Sequence, residues 1–192
     1  SFPDGGAAAR RIFGNCCTLR ELGYDIVITS GDMANEGHNN GEYEGFKVVS
    51  LNERTVEGLP KLLKHISYFN MGKKTIDWLN RLDSKPKAVI LYSGYTPYLR
   101  HLLRWSKANE VPIIFDSVEW YQAKNKLMTF LSPYYLNIEF SMRYYSPKVK
   151  NVIAISRYLE NHYASKNCNV VRIPPTLDTS IIAPVQRVKN HK

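Results

Sequence analysis

Short β-branched runs alternating with amphipathic helical stretches predict an α/β chain: a Rossmann-like three-layer α/β/α domain around a mostly parallel sheet. Three observations carry the prediction. Ile26-Val27-Ile28-Thr29 and Val152-Ile153-Ala154-Ile155 are too short for helices and apolar on both faces, as buried parallel strands are. Ile12, Cys16, Leu19 and Leu22 recur at helical spacing just ahead of the first run, and Gly23 separates the two as a left-handed cap. The run at 112–115 delivers Asp116-Ser117-Val118-Glu119-Trp120-Tyr121 to its carboxyl end, where open α/β sheets bind ligands.

The chain opens on Ser1-Phe2-Pro3-Asp4-Gly5-Gly6, a turn that runs straight into a helix over 7–22. The free N–H groups of its first turn, near Ala7 to Ala9, form an anion site. Arg10 and Arg11 put two cations near the positive end of the helix dipole, a placement that calls for something negative to offset them. The plainer alternative is a surface turn followed by two solvated arginines. After the strand at 26–29, residues 31–45 read as a polar excursion with no core of its own, and 46–50 as a second strand.

Leu59, Leu62, Leu63 and Ile66 keep helical spacing, as do Ile76, Leu79 and Leu82, with a break near Gly72 between them. A strand at 88–92 ends in Ser93-Gly94-Tyr95-Thr96-Pro97, where Thr96 is placed to cap the helix that follows and Pro97 suits its first turn. That helix reaches 109 with Leu99, Leu102 and Leu103 inward. After the strand at 112–115, an aromatic-rich helical region spans 126–145, broken near Pro133. A strand at 152–155, a helix begun by Ser156 and carrying Leu159 and Tyr163, and a strand at 170–173 complete the alternation. The domain is expected to close at 178, leaving 179–192 as a linker or frayed end.

Five stretches should converge at the carboxyl rim of the sheet: Gly5-Gly6, the 31–45 loop, 93–97, 116–121 and Ser156-Arg157. Glu119 and Asp116 are the candidate catalytic carboxylates there, with capping or pairing to a lysine as the structural alternative. Tyr95, Trp120 and Tyr121 offer aromatic faces for the C–H face of a sugar ring, or pack at the rim. Ser156 is expected to cap its helix, and a ligand contact would be secondary. Tyr134, Tyr135, Phe140, Tyr144 and Tyr145 read as helix packing ahead of an acceptor groove. One unit is missing: a fold of this kind should have a central strand before its glycine turn, and its absence would leave a slot with unpaired backbone on both sides. Residues 1–192 are therefore expected to be a fragment of a longer protein.

At 192 residues the chain suits one well-buried domain, and 44% hydrophobic with 22% charged residues is a globular composition. No window approaches a bilayer-spanning apolar run, and the N-terminus lacks the basic, apolar and small-residue succession of a signal peptide, which points to the cytoplasm. Cys16, Cys17 and Cys168 form no CxxC pair and read as reduced thiols. His38, His65, His101, His162 and His191 show no metal-ligand spacing, so no metal is expected. The formal net charge of +9 suits an anionic partner. Basic residues are dispersed and no nucleic-acid motif appears, so nucleic acid is not the expected partner.

Phe2-Pro3-x-Gly5-Gly6-x-x-x-Arg10-Arg11 resembles the opening of retaining, nucleotide-sugar-dependent glycosyltransferases of GT-B architecture, the group 1 or glycogen-synthase-like enzymes. Val152-Ile153-Ala154-Ile155-Ser156-Arg157-Tyr158-Leu159 is similar to their strand-Ser-x-Tyr-Leu segment, and Arg172-Ile173-Pro174-Pro175-Thr176-Leu177-Asp178 to the end of their N-terminal domain. Phe115-Asp116-Ser117-Val118-Glu119-Trp120 looks like their Asp-x-His-Asp/Glu-x-Trp loop, with Val118 where many relatives have histidine.

The resemblance implies that residues 1–178 are the acceptor-side Rossmann-like domain of a two-domain hexosyltransferase, inactive alone. Its partner would be a missing C-terminal domain that binds the nucleotide-diphosphate sugar, a donor substrate used with no separate cofactor. Gly5 and Gly6 would approach the donor diphosphate, with Arg10 or Arg11 adding a charge-assisted contact. The implied function is transfer, with retention, to a glycan or lipid-linked acceptor, as in polysaccharide biosynthesis, with a possible peripheral contact at the inner face of the membrane. The alternative is a non-catalytic α/β module that binds an anionic or carbohydrate ligand.

Overall fold

The computed structural model describes residues 2–3, 6–31, 41–53, 68–120 and 133–175. Its first half comprises α1 (Gly6–Glu21), β1 (Val27–Ser30), β2 (Gly41–Tyr43), β3 (Phe46–Ser50), α2 (Lys73–Asn80) and β4 (Val89–Tyr92). There follow α3 (Thr96–Asn109), β5 (Ile113–Ser117), α4 (Pro133–Phe140), α5 (Ser146–Val149), β6 (Asn151–Ala154), α6 (Arg157–Ala164) and β7 (Asn169–Arg172). A π-helical turn over Ser141–Tyr145 joins α4 to α5.

The architecture is the expected Rossmann-like α/β. One sheet has the order β4-β5-β6-β7, all parallel, and the other the order β1-β3-β2, with β1 parallel and β2 antiparallel to β3. Among the described residues β1 pairs only with β3 and β4 only with β5, so the strands fall into two sheets.

Period-two alternation sets the layers. Along β5, Ile113 and Phe115 face the main core, where Phe115 meets the Tyr163 ring of α6 at 6.3 Å between centroids. Leu99 and Leu102 of α3, Val152 and Ala154 of β6 and Leu159 of α6 complete that core. Asp116, one step along, turns to the opposite face and meets α1. A smaller core of Cys16, Ile28, Phe46 and Val48 holds α1 on β1 and β3.

Residues 41–45, the described end of the 31–45 stretch, do more than the expected coreless excursion. Glu44 and Gly45 both take positive φ (50° and 79°), the two-residue turn that matches strand twist, and β2 folds back on β3. Tyr43 then packs edge-on against Phe2 and Phe13, so the stretch does contribute to the smaller core. Thr96 is the first residue of α3 and not its cap: Tyr95 holds the cap position in extended conformation. The acceptor comes from α4, where Asn137 Oδ1 takes the Thr96 N–H at 2.9 Å and Thr96 Oγ1 donates to the Asn137 carbonyl at 3.0 Å. The break expected near Gly72 is present: Gly72 has φ 101° and precedes α2, and a Cβ there would stand 3.1 Å from the Tyr98 backbone. The helix expected at 59–66, the first part of the 126–145 region and the tail at 179–192 lie outside the described residues.

Candidate functional site

The site is built on one buried ion pair. Arg11 sits on α1 and Asp116 near the carboxyl end of β5, their side chains 7% and 1% exposed. Arg11 Nη2 donates to Asp116 Oδ1 at 2.7 Å, and Nε donates to Oδ2 at 2.9 Å, a two-pronged match of guanidinium to carboxylate. The remaining capacity is used as well. Asn15 Nδ2, one helical turn along α1, donates to Asp116 Oδ2 at 3.3 Å, and Arg11 Nη1 donates to the Ile173 carbonyl, just past β7, at 3.1 Å.

Asp116 is therefore the negative group that Arg11 requires. Both Asp116 oxygens are held by side chains of α1, and Arg11 is turned inward to them. Arg10 is exposed beside it.

Backbone bonds gather the strand exits at this end. The Ser93 N–H donates to the Asp116 carbonyl, Ile155 N–H to Ser117 and Ile173 N–H to Ala154, at 3.0–3.1 Å. α1 is tied to this end through Arg11, which reaches Asp116 of β5 and the Ile173 carbonyl just past β7. Gly6 has φ 58°, and a Cβ there would meet no described atom within 4 Å. Tyr92, which closes β4, has its phenol pushed above the usual value by burial first, then by the charges of Asp116 and Glu119, against the lowering effect of Arg11.

Among the other expected site residues, Glu119 is exposed and Trp120 is half-buried. Trp120 Nε1 donates to Glu139 Oε1 at 3.0 Å, Arg143 lies over its ring at 4.9 Å, and the His162 ring stands 4.7 Å away. Arg143 in turn pairs with Glu139. Tyr95 packs edge-on against Tyr68 at 6.2 Å. Ser156 caps α6, its Oγ accepting the Leu159 N–H at 3.3 Å. Gly5 and Tyr121 lie outside the described residues.

The sequence reading missed three groups. Tyr163 is fully buried, and its hydroxyl meets Ser146 Oγ at 3.0 Å and Ser117 Oγ at 3.2 Å, linking the end of β5 to the start of α5. Burial pushes its phenol up despite these two bonds. Glu53 accepts the Gly72 and Thr75 N–H groups at 2.9 and 2.6 Å, so a distant carboxylate fills the start of α2. Asn15 had a signal, its four-residue spacing from Arg11; Glu53 had none, being far from α2 in sequence.

Phe140 and Tyr144, expected to pack, are 56% and 52% exposed, the first closing α4 and the second within the π turn. Lys148 Nζ stands 3.6 Å from the Tyr144 ring centre. Beside it Arg100, Leu103, Arg104, Lys107, Tyr145 and Lys148 line a surface groove of about 270 Å³. A larger hollow of about 530 Å³ lies at the amino ends of β1 and β3, lined by Asp25, Ile26 and Lys47, away from the rim.

Among the described residues no helix is long and apolar enough to cross a membrane, and no group of three His, Cys, Asp or Glu gathers to hold a metal ion. Comparison with known proteins finds no matching family model, no matching curated protein and no matching solved structure.

Proposed function

We propose that the chain is the acceptor-side half of a retaining glycosyltransferase that moves a sugar from a nucleotide-diphosphate donor to a glycan or lipid-linked acceptor. The observation that carries this reading is the Arg11–Asp116 clamp, which ties α1 to β5 five residues after Gly6 and three residues before the exposed Glu119. Free N–H groups at the helix start suit the diphosphate as its bond to the anomeric carbon breaks. Glu119 suits an acceptor hydroxyl, which gives up its proton as the new glycosidic bond forms on the same face. The residues that would bind the nucleotide belong to a second domain. The basic groove and the exposed Phe140 and Tyr144 support a peripheral contact with anionic lipid at the cytoplasmic face.

A second reading, a non-catalytic module for an anionic or carbohydrate ligand, draws on the sealed state of Asp116, which leaves Glu119 as the exposed carboxylate of residues 116–120. The experiment that separates the two uses the full-length gene product, a panel of nucleotide-diphosphate sugars and lipid or glycan acceptors. Labelled sugar transferred with its anomeric configuration kept supports the enzyme. Saturable ligand binding with no transfer from any donor supports the module and overturns the enzyme.

A further inference from the structure

Three cations gather on one face of α3. Arg100, Arg104 and Lys107 follow one another at four- and three-residue spacing, which stacks side chains on one helix face, while Leu99, Leu102 and Trp105 form the buried face. Lys107, in the last turn, suits the helix dipole. Arg100 and Arg104 gain nothing from it, and like charges four residues apart cost a helix stability. Elsewhere Arg143 and Arg172 each have a carboxylate, Glu139 and Glu160; among the described residues Arg100, Arg104 and Lys107 have none.

A fourth cation faces them from the opposite wall. α3 packs on the π turn and on α5, and here lies the groove of about 270 Å³. Lys148 of α5 places Nζ 3.6 Å from the Tyr144 ring centre and 5.6 Å from that of Tyr145, so its ammonium is seated on aromatic faces beside the groove. Leu103 and the half-buried Tyr145 supply the apolar part of the lining, and no acidic residue belongs to it among the described residues.

These features select a ligand class. Four positive charges with no carboxylate call for an anion of more than one negative charge, and a phosphomonoester carries about −1.5 to −2 near neutral pH. Two guanidinium forks match phosphate oxygens in pairs, which ammonium groups do not. The Leu103 and Tyr145 surface suits the carbon skeleton of an ester better than a bare ion.

We propose that the groove between α3 and α5 binds a phosphomonoester. Arg100 and Arg104 grip the phosphate oxygens, Lys107 and Lys148 complete the charge, and Leu103 and Tyr145 contact the carbon skeleton. The group comes on a small soluble molecule or on a lipid headgroup, with the same chemistry in both. Only the lipid source rests on the peripheral contact proposed above, and phosphate binding requires no sugar transfer.

Glycerol 3-phosphate and phosphatidic acid present this group in the two forms. Binding of the protein is measured by calorimetry for the first and by flotation of phosphatidylcholine vesicles containing the second, against phosphatidylglycerol vesicles of equal surface charge. The test variant is Arg100→Gln with Arg104→Gln. Its control, Arg81→Gln with Lys85→Gln, removes the same charge beyond α2; all four side chains are exposed, and equal thermal midpoints verify the fold. The expected result is saturable binding of glycerol 3-phosphate, at least roughly tenfold weaker in the test variant and unchanged in the control. A preference for phosphatidic acid over phosphatidylglycerol that needs both arginines would equally support the site and assign it to a lipid headgroup. No binding of glycerol 3-phosphate together with equal binding of the two vesicles would overturn it and leave a diffuse basic surface. So would equal weakening in the two variants, or a preference that survives loss of both arginines. No sugar donor enters the assay, so its failure is separate from any failure of the transferase reading.

Discussion

Arg11 and Asp116, 105 positions apart, form a bidentate pair across the face of β5, closed from water and completed by Asn15 and the Ile173 carbonyl. The pair makes the position of α1 depend on the carboxyl ends of β5 and β7, and hence fixes where the Gly6 turn sits.

Breaking that pair from one side leaves a buried charge alone. Arg11→Met or Asp116→Leu should each cost about 3–5 kcal/mol, while the double change should lie much closer to wild type, because two apolar side chains replace two desolvated ions. Urea unfolding of the four proteins checks this through the coupling energy. Additive losses would mean that the pair contributes nothing beyond its separate parts.

Glu53 should matter to α2 as a cap matters to any helix. Glu53→Ala exposes the Gly72 and Thr75 N–H groups that it now accepts and is expected to cost about 1–2 kcal/mol. Exchange at the start of α2 should quicken more than exchange in β5 or β6.

Tyr163→Phe keeps the ring against Phe115 and removes the hydroxyl that Ser117 and Ser146 share. Two buried hydroxyls lose a partner, so the expected loss is about 1–3 kcal/mol by thermal or chemical unfolding.

Alkaline pH should destabilise the fold. Burial, with a smaller effect of Cys17, pushes the Cys16 thiol from 9.0 up to about 11. The folded chain keeps this proton after the unfolded chain has lost it, so the stability is complete below pH 9 and is lost progressively as pH rises toward about 11. The Tyr68 phenol, raised from 10.0 to about 12 mainly by burial, extends the loss above pH 10. Unfolding midpoints measured across this range should fall for the wild type and fall less for Cys16→Ala.

The alternation of strands and helices was legible because it rests on local periodicity. Ile28, Val48, Phe115, Val152 and Leu99 are apolar at the spacing of their elements, and each is buried. The roles of the site residues were less so. Nothing local says that Arg11 turns inward to Asp116 while Arg10 stays in water, because a partner 105 residues away decides it. A shorter separation, about twenty residues, hid Glu53 from α2 in the same way.

The central claim is tested most directly at Gly6. Both Gly6→Ala and Gly6→Asp strain a residue at φ 58°, at a cost of about 1 kcal/mol, but only aspartate sets a negative charge where a diphosphate would lie. Sugar transfer by the full-length protein, measured as kcat/KM for the nucleotide-diphosphate donor, should fall at least roughly tenfold further in Gly6→Asp than in Gly6→Ala, since about 1.4 kcal/mol of lost transition-state binding is a factor of ten. Equal rates in the two variants would contradict a diphosphate at the start of α1.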